Sequence, residues 1–430
     1  MRLLALAAFL AAAAPGSAQA PGQSGFTVIH AGTLLDRPGR APRRNASIIV
    51  RGGRIESVQD GFVTPAGASV IDLRDRFVLP GLIDSHVHLR SDAGGRESLI
   101  EQVEGSVPKS TLRTAFEAKK TLLAGFTTVR NLGEGHGATL ALRDMIAAGM
   151  AEGPRIIDAG RSISTTGGHM DPRNGLNEEF HPENPDNLCD GPESCRRAVR
   201  LQIGRGVDVI KIATTGGVNS GTGRAKMAYD DEIRALVDTA HMYGRKVAVH
   251  AHGAAGINAA LAAGADSIEH GTEINEETLR LFKQSGAYYV PTLSTVNGYL
   301  ERLEKNPNAY EPKVLEQIKW RIGITGNSLR KAVPAGVKIA FGTDAGVSKH
   351  GRNADEFELL VKHGMTPMGA IEAATVNAAD LLGLAKEVGS LEPGKAADVI
   401  AVAGDPLNDV TVLKRVGFVM RDGKVYKDQR

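Results

Sequence analysis

Between residues 80 and 387, short apolar runs of β type alternate with amphipathic helical stretches that stop at glycine. This alternation constrains the fold more than any other feature of the chain. Asp230 to Ile233 opens a helix with Ile233, Leu236, Val237 and Ala240 on one face, and Gly244 ends it. Lys246 to His250 then reads as a strand. Ile257, Ala260 and Leu261 mark the next helix, which Gly264 closes, and Asp266 to His270 is again strand-like. Asn275 caps a third helix that ends at Gly286, before Ala287 to Val290. Strand and helix alternating at this spacing require a parallel sheet. Eight strand candidates lie between Leu82 and Thr343, so the α/β fold expected is a closed (β/α)8 TIM barrel, with an open doubly wound sheet as the alternative.

The two ends differ from this middle. Phe26 to Ile29, Ser47 to Val50 and Arg54 to Val58 are short strand candidates separated by Gly and Pro, as are Asp398 to Val402, Val416 to Met420 and Val425-Tyr426. Asp422-Gly423 is a hairpin signal. The ends are expected to pair into one small β-sandwich, built from 19–79 and 388–430, beside a barrel over 80–387. The 430 residues, 42% of them hydrophobic, supply enough core for both.

Arg2, the apolar run Leu3 to Ala14 and the small residues after it read as a secretory signal peptide, too short to span a membrane. Ala18-Gln19-Ala20 fits the cleavage rule, but Pro21 disfavours a cut before it, which places the signal at 1–18. The mature chain is therefore expected to be secreted or periplasmic, with no membrane association after cleavage. A net charge of +2, with no basic block, argues against a nucleic-acid partner. In an oxidising compartment Cys189 and Cys195 are expected to form a local disulfide; two free thiols are the alternative, and a metal site would need more ligands than this loop offers.

The chemistry gathers at strand ends, where a barrel keeps its functional residues. His86 and His88 end the first strand, and the two-residue period puts them on one face. His250 and His252 repeat the arrangement, His270 ends the following strand, and Asp344 supplies a carboxylate at the last one. One histidine alone would be unremarkable, whereas five at strand ends, four of them in His-x-His pairs, read as a metal site. Lys211 sits in the apolar run Val207 to Ile212, which is costly without a partner. Either it forms an inward ion pair with Asp344 or Glu269, or CO2 converts it to an anionic carbamate.

Val78-Leu79-Pro80-Gly81-Leu82-Ile83-Asp84-Ser85-His86-Val87-His88 resembles the first-strand signature of the amidohydrolase superfamily. Lys211, His250, His270 and Asp344 fall where that family has its later ligands, and Gly389 to Asp398 is similar to its return from barrel to sandwich. Thr127 to Gly133, Gly167-Gly168-His169-Met170 and His250 to Gly253 are most similar to the imidazolonepropionase-like and prolidase-like branch, which includes dipeptidases, carboxypeptidases acting on N-acyl amino acids and ochratoxin-hydrolysing enzymes. Asn131 departs from the Asp of that pattern, which puts an ion pair at that position in question.

The resemblance implies two divalent ions, zinc best suiting the donors, with manganese or cobalt able to substitute. His86, His88 and Asp344 would hold one ion, His250 and His270 the other, and a CO2-derived carbamate on Lys211 would bridge them. Asp344 would act as general base and then acid. His169, Tyr229, His252 and Arg224 are candidate substrate contacts, with His252 alternatively an orienting residue. The glycines of Thr214 to Gly217 and Ser220 to Gly223 read as a flexible active-site loop, because no helix follows at dinucleotide-binding spacing. The implied substrate is a small amide or peptide, and the branch implies a homo-oligomer. Three other readings compete. They are a one-metal deaminase or cyclic-amide hydrolase, which would not need Lys211; a lactonase, esterase or phosphotriesterase; and a non-catalytic barrel, which would have lost ligands.

Overall fold

The computed structural model describes residues 25–180, 185–220 and 222–429, so the signal segment lies outside the described residues. Strands β1 (Thr27–Leu34), β2 (Arg43–Arg51), β3 (Arg54–Asp60) and β4 (Ser69–Pro80) open the chain. The middle carries β5 (Leu82–Val87), β6 (Phe126–Asn131), β7 (Arg155–Asp158), β8 (Val209–Ala213), β9 (Lys246–Ala251), β10 (Ser267–His270) and β11 (Tyr288–Val290). The chain closes with β12 (Val399–Val402), β13 (Val416–Arg421) and β14 (Lys424–Asp428).

Both ends meet in one seven-stranded sheet, in the order β14-β13-β12-β4-β1-β2-β3. The edge strand β3 returns to the segment before β12 through Ile55 N–H to Lys395 O and Ala397 N–H to Gly53 O. The two ends thus pair into one unit, a continuous sheet bent back on itself, and it encloses its own core of Ile29, Ile48, Leu73, Phe418 and Met420. Asp422 (φ 48°) and Gly423 (φ 77°) form the turn between β13 and β14, the left-handed pair that a two-residue hairpin needs.

The middle is of TIM-barrel type. Parallel strands form two arcs, β5-β6-β7 and β8-β9-β10-β11, with helices between successive strands. The predicted helix stops hold: Asp230–Met242 is followed by Gly244 (φ 67°), and Glu276–Ser285 is capped by Asn275 and closed by Gly286 (φ 68°). Ile163 pairs with Lys211 and Ala213, joining the segment after β7 to β8. On the other side, residues 338–345 bridge β11 to β5 through Tyr289 N–H to Lys338 O and Ser85 N–H to Phe341 O. The eighth strand expected up to Asp344 is therefore an irregular bridged segment. Its backbone is diverted at Asp344, which adopts a left-handed φ of 56°.

Candidate metal centre

The parallel strands end around one cavity of about 240 Å³, lined by His86, His88, His169, Lys211, His250, His252, His270, Arg321 and Asp344 among others. Two donor groups stand in it, His86 with His88 and Asp344, and His250 with His252 and His270. Within each group the ligand atoms lie within 4.8 Å of one another. The two-residue period does place His86 and His88 together: their Nε2 atoms reach the same Asp344 oxygen at 3.5 and 3.3 Å.

Hydrogen bonds fix which ring nitrogen each histidine offers. His86 Nδ1 donates to Glu269 Oε2 (2.8 Å) and His88 Nδ1 to Gly133 O (3.2 Å), leaving Nε2 of each as a lone pair. Thr292 gives its hydroxyl proton to Pro291 O, so it accepts from His270 Nδ1 at 2.7 Å and again frees Nε2. His250 is reversed: its Nε2 donates to Gly216 O at 3.2 Å and Nδ1 is left free. Burial holds all four of these imidazoles that the structure buries deeply, His86, His250, His252 and His270, below the usual histidine range, His86 at about 4. Neutral rings with an inward lone pair are the protonation state a metal requires.

Lys211 is buried in β8, and among the described residues its Nζ has no hydrogen-bond partner. The ion pair to Glu269 or Asp344 is not formed, because Glu269 is occupied by His86 and by Arg130 (2.8 Å). Burial lowers the Lys211 ammonium to about 8, against the pull of Glu269 and Asp344. A fraction of it is therefore the free amine at neutral pH, the form that reacts with CO2. Burial alone would raise the Glu269 carboxyl, but Arg130 and His86 hold it at about 2. Asp344 is likewise raised by burial and brought below the usual carboxylate range by His86 and His88. His270 (φ 68°), Thr292 (φ 49°) and Asp344 (φ 56°) all carry left-handed backbone at this site, a strain that non-glycine residues keep only where the surroundings enforce it.

The remaining candidates divide. His169 lies in the loop after β7, well beyond the strand end, and stacks on His250 with ring centroids 4.2 Å apart. A side chain at Gly217 would stand 2.1 Å from the His169 ring, so glycine lets the backbone at this position pass close to it. That loop is packed against the site: Gly216 O holds His250. His252 stands with His250 and His270 and donates to or accepts from Thr272 Oγ1 at 2.7 Å. The structure does not bring Tyr229 or Arg224 to the cavity. Tyr229 is 77% exposed at the start of the helix Asp230–Met242, where the backbone needs a capping residue. Arg224 pairs with Glu273 (3.1 Å) and lies over Trp320. Asn131 accepts from Leu89 N–H at 3.0 Å and donates to Thr139.

Sequence reasoning missed Arg321 and Tyr299, both buried and both lining the cavity. Arg321 bonds Thr325 Oγ1 and the carbonyls of Pro291 and Thr292 at 3.3 to 3.5 Å, and no carboxylate neutralises it among the described residues. It also missed the Arg130–Glu269 pair, although a charged residue inside the strand-like run Thr127 to Leu132 carried a signal of the same kind as Lys211. Cys189 and Cys195 are joined in a disulfide.

The sequence pattern of the amidohydrolase family matches residues 77–426. The chain is 33% identical to an ochratoxinase of Aspergillus niger over 428 residues, covering 93% of this chain and 86% of that one. An imidazolonepropionase of Deinococcus radiodurans is 26% identical over 396 residues, covering 85% and 87%. Among solved structures, a Xaa-Pro dipeptidase with bound methionine superposes with a TM-score of 0.87 at 39% identity, over 94% of this chain and all of that one. A prolidase complexed with N-methylphosphonate-L-proline gives 0.85 at 31% identity, with 94% and 100% covered.

Proposed function

The chain belongs to the amidohydrolase family and hydrolyses a carbon–nitrogen bond, and on that premise we propose that it cleaves the amide next to a C-terminal amino acid. The substrates are dipeptides or N-acyl amino acids, with ochratoxin A a member of the class to assay. The observation that carries this reading is Arg321, a buried guanidinium without a carboxylate partner among the described residues, in the same cavity as the two donor groups. A cation so placed is costly unless a substrate anion pairs with it, and a guanidinium matches a carboxylate bidentately.

The donor set fits two divalent ions, zinc first: His86, His88 and Asp344 would hold one, His250 and His270 the other, and Lys211 as its CO2-derived carbamate would bridge them. Such ions lower the pKa of water towards about 7 and polarise the scissile carbonyl. The chain's own residues do the rest. Asp344, ionised at neutral pH, takes the proton of the attacking water and hands it to the leaving amine. Glu269 and Arg130 hold His86 in one orientation. His169 and His252, at the inner wall, contact the amide carbonyl or orient the donors. Residues 1–18 as a cleaved signal, secretion, a closed eight-stranded barrel over 80–387, the sandwich of 19–79 with 388–430 and a homo-oligomeric state belong to the same reading. No helix among the described residues is long and apolar enough to cross a membrane.

The test is kcat/KM of the zinc-loaded mature protein on an N-acyl amino acid and on its C-terminal amide. A preference of about tenfold or more for the free acid, ~1.4 kcal/mol of discrimination, is expected. Equal turnover of acid and amide removes the carboxylate pocket and turns attention to cyclic amides, lactones and esters.

A further inference from the structure

The metal-centre cavity does not end at its own wall. A second chamber of about 1120 Å³ adjoins it, and His88, Met170, Asn219 and Val347 line both. Arg321, His250, His252 and His270 line the inner cavity alone. The chamber therefore joins the site on the His88 and Met170 side. Its walls carry the apolar side chains of Leu99, Leu176, Tyr310 and Val314, with charged ones such as Arg90, Arg96, Glu134 and Arg161 among them, and apolar surface makes up the larger part.

The two ends are related through one helix, Pro312–Gly323, which carries both Val314 and Arg321. Seven residues separate them, two helical turns, so they share a face about 10 Å apart. That is the scale of an amino acid joined through its amide to a short acyl chain. The volumes set the scale independently. Small-molecule sites usually hold roughly 300 to 1,000 Å³. The inner cavity is smaller than that range and suffices for an amino acid and the amide, while the chamber is empty space that a small acyl group would leave unfilled.

Resting on the amide hydrolysis proposed above, we propose that this chamber is the acyl-group subsite. The substrate's carboxylate lies towards Arg321, and an extended apolar or aromatic acyl group fills the chamber. Leu99, Leu176, Tyr310 and Val314 set which acyl groups are taken. The enzyme thus prefers long-chain or aryl N-acyl amino acids over N-acetyl amino acids and dipeptides.

The test is kcat/KM on N-acetyl-, N-butanoyl- and N-octanoyl-L-methionine, with N-(3,6-dioxaoctanoyl)-L-methionine as a polar chain of equal length. The octanoyl substrate is expected to exceed the acetyl one by about tenfold or more, and the dioxa chain to fall well short of octanoyl. In Val314→Trp, which narrows the chamber beside the inner cavity, the octanoyl-to-acetyl ratio is expected to drop; a ratio measured in one preparation is independent of how much enzyme is active. Hydrolysis of all four at equal efficiency overturns the subsite and leaves the amide hydrolysis standing. Equal turnover of the octanoyl and dioxa chains overturns its apolar character. Turnover of none overturns both readings.

Discussion

His86 Nδ1 donates to Glu269 Oε2 at 2.8 Å, across 183 residues of chain, and Arg130 holds the other oxygen of the same carboxylate at 2.8 Å. The residue beside His270 in sequence therefore orients a histidine of the opposite donor group. A carboxylate behind a metal-binding histidine typically accounts for about 10- to 100-fold in affinity or activity. Glu269→Gln is expected to weaken retention of the ion at His86 and His88 by that factor, measured as metal content after stepwise chelator dialysis. Unchanged retention would show that the pair only supports the fold.

Lys211→Ala removes the buried amine that lines the cavity beside the two donor groups. Metal content is expected to fall from about two equivalents to one or fewer, with kcat reduced at least about a hundredfold. Adding a short carboxylic acid, which can stand in for the carbamate, should restore part of both. Full activity and metal content in the variant would be incompatible with a bridging role.

Arg321→Met keeps the length of the side chain and removes its charge. The tenfold preference for a free acid over its amide should collapse towards one, chiefly through KM for the acid, a loss of ~1.4 kcal/mol. Arg224→Met, at an exposed pair with Glu273, should leave the preference as it was. A reversed outcome would place the carboxylate outside the inner cavity.

Glu356 is buried under the site, where it accepts from the backbone N–H groups of Leu293 and Ser294, and burial raises its carboxyl to about 7. The folded protein thus binds this proton more tightly than the unfolded chain. Its contribution to stability is complete below about pH 4 and is lost as pH rises through 7. The loss is of the order of 3 kcal/mol over that window. Wild-type Tm should fall relative to Glu356→Gln between pH 5 and 8, as followed by circular dichroism. Parallel curves for the two proteins would mean that Glu356 does not titrate there.

The Cys189–Cys195 bridge closes a short loop whose Cys189 N–H binds Ser164 O, while Asn187 holds Ser162 O and Met170 O. For a loop of this size the constraint on the unfolded chain is about 2 kcal/mol. The double variant Cys189→Ser with Cys195→Ser should lower Tm by a few degrees. It should also raise KM more than it lowers kcat, because the tethered segment leads into the loop carrying His169 and Met170. An unchanged KM would confine the bridge to stability.

The local code reached far in this chain. Glycine stops after helices, the Asn275 cap and the Asp422-Gly423 turn depend on the backbone preferences of a few neighbouring residues, and each is found where the sequence puts it. The pairing of His86 with His88 needs only the two-residue period of a strand, and the same period brings His250 and His252 together. Lys211 stood out because a charge inside an apolar strand is expensive wherever the strand is buried.

What the sequence could not carry is whatever depends on contacts between distant segments. Tyr229 and Arg224 were plausible because they flank a glycine-rich loop near the site, yet the packing turns one to solvent and gives the other to Glu273. Arg321 gave no signal, since an arginine in an amphipathic helix ordinarily faces water. Only the docking of the helix Pro312–Gly323 over the strand ends buries it beside the histidines. The same holds for Glu269, whose partner lies 183 residues away. Periodicity determines which residues share a face, because that follows from bond geometry along the chain. Which face meets which is decided by burial summed over the whole tertiary structure, and that is where the placement of Arg321, the chamber and the support behind His86 were settled.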